Sequence, residues 1–151
     1  FLVEVLQYGW DEVHDEAENL EHAVSDLMVE RIDAMLGHPE RDPHGDPIPS
    51  AAGEVRIPQA VLLSSLGAGT RVVVERISDS DPELLKYFAA KGVTVGARLE
   101  IGESDPYSES MLLSVADAVA VGAADAALPS PVSAPFALGP VAARAVWVTK
   151  R

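Results

Sequence analysis

Apolar residues recur along this chain with two different periods, and the change of period divides it. At about 100° per residue, Val13, Ala17, Leu20, Val24, Leu27, Met28 and Met35 fall within one broad arc. That arc predicts a single amphipathic helix from about Trp10 to Leu36. Asp11 would cap its start, and Gly37 would stop it, with Pro39 two residues beyond. Ahead of it, Phe1-Leu2-Val3-Glu4-Val5-Leu6 has no capping residue and reads as the tail of another helix, broken by Gly9. Residues 38–58 then carry five prolines and two glycines, so regular structure is not expected there.

After that stretch the period changes. Arg71-Val72-Val73-Val74-Glu75-Arg76-Ile77 is a β-branched run following the turn Gly67-Ala68-Gly69 and predicts a strand. Asp81-Pro82-Glu83 opens a short helix with Leu84, Leu85 and Phe88 on one side, and Gly92 ends it. Further strands are expected over Ala97–Ile101, near Met111–Val115 and over 145–149. The segment 116–140 is rich in Ala, Pro and Ser and is expected to be a surface insertion. The fold class is therefore α+β: a helical unit over 1–48, a Pro-rich linker over 49–65, and a small, partly open β-barrel over 66–151.

Charge sharpens this division. The chain carries a net charge of −13, and residues 1–48 hold thirteen acids against two bases. Such a surface is poorly suited to phosphate contacts, which need Lys and Arg. It suits a cation, although acidity also simply keeps a protein soluble. No apolar run reaches the roughly 18 residues of a membrane span, so no membrane association is expected. The absence of cysteine fits a reducing cytoplasm.

The acidic helix carries the candidate chemistry. With His14 set at zero, Glu18 lies near 40°, Glu21 near −20° and His22 near 80° on a helical wheel. Two carboxylates and two imidazoles thus share an arc about 100° wide, offset from the apolar stripe. Oxygen and imidazole donors without thiolate favour Mn²⁺ or Fe²⁺ over a structural Zn²⁺ site. A solvated acidic face is the alternative. The His-Glu-x-x-His of zinc proteases is absent, as is the Glu-x-x-His that di-iron bundles take from two helices. His38 and His44 are expected to face solvent. Trp10 and Trp147 are expected to fill core or interface, and Met28 and Met35 to pack rather than bind metal.

The order Val13-His14-Asp15-Glu16-Ala17-Glu18-x-Leu20-Glu21-His22, then Ser25-Asp26, then Asp42-Pro43-His44-Gly45-Asp46-Pro47-Ile48-Pro49 resembles the diphtheria toxin repressor family of metal-dependent regulators. Leu63-Ser64-x-Leu66-x-x-Gly69, the Leu84-Leu85 pair with Gly92-Val93 and Gly96, and Ala142-Ala143-x-Ala145-Val146-x-Val148 resemble the SH3-like domain that this family shares with FeoA. The resemblance implies a helical metal-binding and dimerisation domain followed by an SH3-like domain. It places principal metal ligands at Glu18, Glu21 and His22, and an ancillary ligand at His14. An acid rather than cysteine at position 18 points to the manganese-responsive branch, with Fe²⁺ as the other ion to consider. From the SH3-like domain, Glu75 matches an ancillary ligand, whereas Ser78 stands where the family carries Gln. The resemblance also implies a homodimer that meets its DNA operator only through a winged helix-turn-helix preceding Phe1, where the remaining ligands would lie. Two other classes stay open: a metalloenzyme, for which no nucleophile or general base is evident, and a non-enzymatic adaptor whose SH3-like unit binds a protein.

Overall fold

The structure, a computed structural model, describes residues 1–50, 52–105, 107–117 and 134–151. Two short helices come first, α1 over Val13–Glu21 and α2 over Asp26–Met35. The single helix expected over 10–36 is therefore two. The break lies at Ser25, whose backbone is extended (ψ 156°) and whose hydroxyl accepts a hydrogen bond from the Met28 amide. A serine that can satisfy a free helix-start amide competes with continuing the helix through it. Glu12, not Asp11, occupies the N-cap of α1, and its carboxylate accepts from the Gly9 amide instead of capping. Phe1–Leu6 forms a helix-like turn closed by the Val5 amide on the Phe1 carbonyl. Leu2 and Val3 from that turn pack with Val13 as a small buried cluster.

The rest of the chain builds one antiparallel sheet. Its strands are β1 (Val61–Leu62), β2 (Arg71–Ile77), β3 (Arg98–Gly102), β4 (Met111–Asp117), β5 (Phe136–Leu138) and β6 (Val146–Lys150). They lie in the order β1-β6-β2-β3-β4-β5. A 3₁₀ turn over Leu63–Ser65 follows β1, α3 (Pro82–Lys91) joins β2 to β3, and α4 (Pro140–Ala143) leads into β6. α3 begins as its sequence indicates. Asp81 accepts from the amides of Glu83 and Leu84, Pro82 sits in the first turn, and Gly92 ends the helix in the left-handed conformation.

Alternation along the strands sends one face inward. Val72 and Val74, Leu99 and Ile101, Leu113 and Val115, and Val146 and Val148 are all buried, with Leu85 and Phe88 of α3 packed among them. In β2 the alternation slips by one residue. Val74 pairs with Val148 but Arg76 with Trp147, so Glu75 is the extra residue of a β-bulge. The slip lets Ile77, three residues after Val74, face the same core, where it is fully buried.

Two expectations about the later chain change. Phe136–Leu138 is a strand paired with β4, and Leu138 is fully buried, so the expected insertion does not extend to residue 140. The part of that expectation over residues 118–133 lies outside the described residues. Val61 and Leu62 pair with Val148 and Trp147, so the sheet begins within the Pro-rich stretch. Among the described residues no helix is long and apolar enough to cross a membrane.

Candidate metal centre

α1 carries three of the four candidate ligands, and the fourth follows it directly. His14 lies near its start, Glu18 in its middle and Glu21 at its last residue, while His22 is the C-cap. All four are exposed. The Nε2 of His22 stands 3.5 Å from a Glu21 carboxylate oxygen. His14 and Glu21 line a groove of about 350 Å³ together with Leu2, Val13 and Leu20. Asp42, His44 and Asp79 line the same groove. One contact there joins the helical unit to the sheet unit: His14 Nδ1 lies 3.2 Å from Asp79 Oδ2. Asp79 follows the end of β2 by two residues. The sequence carried no signal for it beyond its acidity, because its relevance depends on the docking of one unit on the other.

Glu75 stands elsewhere. The bulge turns its carboxylate to Arg41, 2.5 Å away, and to the Thr149 hydroxyl, which donates at 2.7 Å. Burial raises the carboxyl's pKa, but the bonds from Arg41 and Thr149 and the charge of Arg41 outweigh it, and the group is held below the ordinary carboxylate range. The structure thus brings His14 to Asp79 and Glu21 beside His22, and it commits Glu75 to Arg41. Among the described residues no three His, Asp or Glu side chains converge as a set around one point. The donors nonetheless suit a divalent ion. They are carboxylate oxygens and imidazole nitrogens, and exposed side chains such as these can swing towards an ion without first breaking a buried bond.

His44 corrects an expectation. It does not face solvent; only 3% of it is exposed. Its ring stacks on Trp10 at a centroid separation of 5.6 Å, and its Nε2 donates to the Trp10 carbonyl at 2.6 Å. Nδ1 lies 3.7 Å from Asp42. Burial disfavours the imidazolium, but the Asp42 carboxylate and the Trp10 carbonyl outweigh it, so the pKa lies above its ordinary 6.5. Asp42 is lowered from 3.8: burial raises it, and the contacts with His44 and the Asp46 amide more than offset that. Both residues belong to a turn bridged between Arg41 and Pro47, with Gly45 at φ +91°. A side chain at Gly45 would overlap the Glu75 carbonyl oxygen, so only glycine lets the turn lie against the bulge. His38, by contrast, is exposed as expected and pairs with Asp33.

The apolar residues of α2 are left outside the core. Leu27, Met28, Val29 and Met35 are exposed, and α2 has no buried residue. The apolar stripe is thus buried at its start, at Val13, and uncovered by the single chain along α2.

Comparison with known proteins accounts for both units. Residues 1–50 match the metal binding and dimerisation domain of iron dependent repressors, and residues 61–128 match the FeoA domain. The iron-dependent repressor IdeR of Mycobacterium leprae is 30% identical over 125 residues, which is 74% of this chain and 54% of that protein. IdeR of Mycobacterium bovis is 33% identical over 112 residues, 66% of this chain and 49% of its own length. The chain thus spans about half the length of these curated relatives. A solved structure of a manganese-dependent transcriptional repressor is 44% identical with a TM-score of 0.85, covering 99% of this chain and 73% of that one. Another, described as a complex with manganese, is 45% identical with a TM-score of 0.83, covering all of this chain and 64% of that one. With both units matched in order, this chain belongs to the diphtheria toxin repressor family of metal-dependent transcription regulators.

Proposed function

We propose that this chain is the metal-sensing and dimer-forming part of a manganese-dependent transcriptional repressor, with Fe²⁺ as the other ion to consider. The observation that carries this is the approach of one candidate ligand of α1 to a carboxylate of the sheet unit, His14 lying 3.2 Å from Asp79. Glu18, Glu21 and His22 would hold the principal ion, and His14 with Asp79 would contribute to an ancillary one. Glu75, the sheet-unit ligand expected from the resemblance, is assigned instead to holding Arg41. A bound divalent ion would supply positive charge to bridge these groups. The protein supplies a bias between conformations, since a ligand shifts an equilibrium only by its differential affinity for the two states. The family consists of transcription repressors, not enzymes, and the metalloenzyme alternative falls with that.

The finer architecture follows the same reading. Residues 1–48 would form the metal-binding and dimerisation domain, residues 49–65 a linker and residues 66–151 an SH3-like domain, in a cytoplasmic protein. The uncovered face of α2 supports a homodimer. Burying each large apolar side chain contributes roughly 1.5–3 kcal/mol, enough for a few of them to drive association. Operator recognition would belong to a segment outside this chain.

The test is titration of the metal-free chain with Mn²⁺ by electron paramagnetic resonance, with Mg²⁺ as competitor. Saturable binding lost in His22→Ala and Glu21→Ala is expected. Binding that persists unchanged in both variants would sink the assignment.

A further inference from the structure

Sulfur is scarce in this chain and unevenly placed. There is no cysteine, and the three methionines are Met28, Met35 and Met111. Met111 lies on β4, partly buried and packed against the core of the sheet unit. Met28 and Met35 both belong to α2, and they are 43% and 56% exposed. They stand seven residues apart, so at about 100° per residue they return to within about 20° of one another on the same face. Leu27 and Val29, also exposed, flank Met28. A face needed only for packing could be built from leucine and valine, which do not react with peroxide. Methionine adds an oxidisable thioether.

We propose that Met28 and Met35 are a peroxide-oxidised pair whose conversion to sulfoxide weakens self-association of the chain through α2. The step is a two-electron oxygen transfer. The thioether lone pair attacks one oxygen of hydrogen peroxide, the O–O bond breaks and an S–O bond forms. The other oxygen leaves as water once it has taken up the remaining proton, so sulfur is oxidised and the peroxide reduced. The product carries a strong S–O dipole on a face that was apolar. Burying that oxygen against a second apolar face leaves it without a hydrogen-bond donor, which disfavours the contact. A sulfoxide reductase reverses the change. In a dimer closed by this face the sulfurs are shielded, so oxidation draws on the dissociated chain and competes with association. The effect on assembly rests on the homodimer proposed above. The preferential oxidation of this pair does not.

The experiment treats the metal-free 151-residue chain with hydrogen peroxide and follows sulfoxide at each methionine by peptide mass spectrometry. Met28 and Met35 should oxidise about tenfold faster than Met111, as their exposure requires. Their rates should fall as chain concentration rises, while that of Met111 does not. Sedimentation analysis of the oxidised chain should show association weakened by about tenfold or more, as in other methionine-bearing interfaces, and methionine sulfoxide reductase should restore it. The double variant Met28→Leu/Met35→Leu keeps the volume of the face and should associate like the parent before and after peroxide. Circular dichroism should be unchanged by oxidation; a lost helical signal would mean unfolding and would overturn the proposal. Met111 reacting as fast as the pair would also overturn it, and so would an oxidised chain that associates like the parent. If the untreated parent stays monomeric at every concentration, the homodimer reading fails and the effect on assembly with it, while the relative rates still decide whether the pair is the oxidation site.

Discussion

The two units of this chain solve opposite problems. Among the described residues, the sheet unit buries sixteen hydrophobic residues in one cluster, whereas the hydrophobic cluster of the helical unit holds only Leu2, Val3 and Val13. The sheet unit has the core of an independent fold. The helical unit leaves Leu27, Met28, Val29 and Met35 of α2 uncovered. Its structure therefore depends on what it meets: a second copy, an ion, or the sheet unit to which His44 ties it. A sensor benefits from that asymmetry, because the region that must respond is the one with least intrinsic stability.

The sharpest way to break this comparison is to attack the larger core. Phe88→Ala empties a fully buried site and should cost about 3–5 kcal/mol, read as a lowered midpoint of urea unfolding. A cost below about 1 kcal/mol would show that the sheet unit is no better packed than the helical one. Next in size is Met28→Asp on α2, which should leave the fold of the single chain intact. It should weaken self-association by tenfold or more, about 1.4 kcal/mol, in sedimentation analysis. Unaltered association would remove α2 from the interface.

Ser25→Ala tests the break between the helices. Loss of the hydroxyl cap should destabilise α2 by about 1 kcal/mol, visible as lost helical ellipticity with the sheet signal retained. The smallest expected effect is a pH dependence. His44 has a raised pKa in the folded chain, so the stability it contributes is fully present below its unfolded value near 6.5 and is lost as pH rises through the raised one. Asp42 is lowered, so its contribution is present above 3.8 and is lost as pH falls. Stability from this pair is therefore greatest between the two, and His44→Gln should flatten the decline on the alkaline side. An unchanged slope in that variant would assign the titration to other groups.

What could be read from the sequence followed local rules. The strands of the sheet, the capped start of α3 and its glycine stop all announce themselves in a few adjacent residues. So did the spacing of His14, Glu18, Glu21 and His22, since it is a property of one turn of helix after another. What escaped was tertiary. Val13 to Met35 kept one apolar arc through Ser25, and the pattern alone could not show that a cap interrupts it. His44 sits among prolines and an aspartate and looks solvated, yet the docked turn buries it against Trp10. Asp79 acquires a partner only once β2 has been placed beside α1. Glu75 matched a family position by order in the sequence, but the bulge at that residue aims its carboxylate at Arg41.

The outermost strands have a further consequence. Among the described residues β1 is two residues long and β5 three, so the outermost strands themselves present little backbone for another chain to extend. Growth of the sheet from chain to chain, the route that leads to open-ended polymers, is blunted at both ends. In the homodimer proposed above, self-association falls to the helices, and a contact made by the same face of both copies closes about a two-fold axis and stops at two.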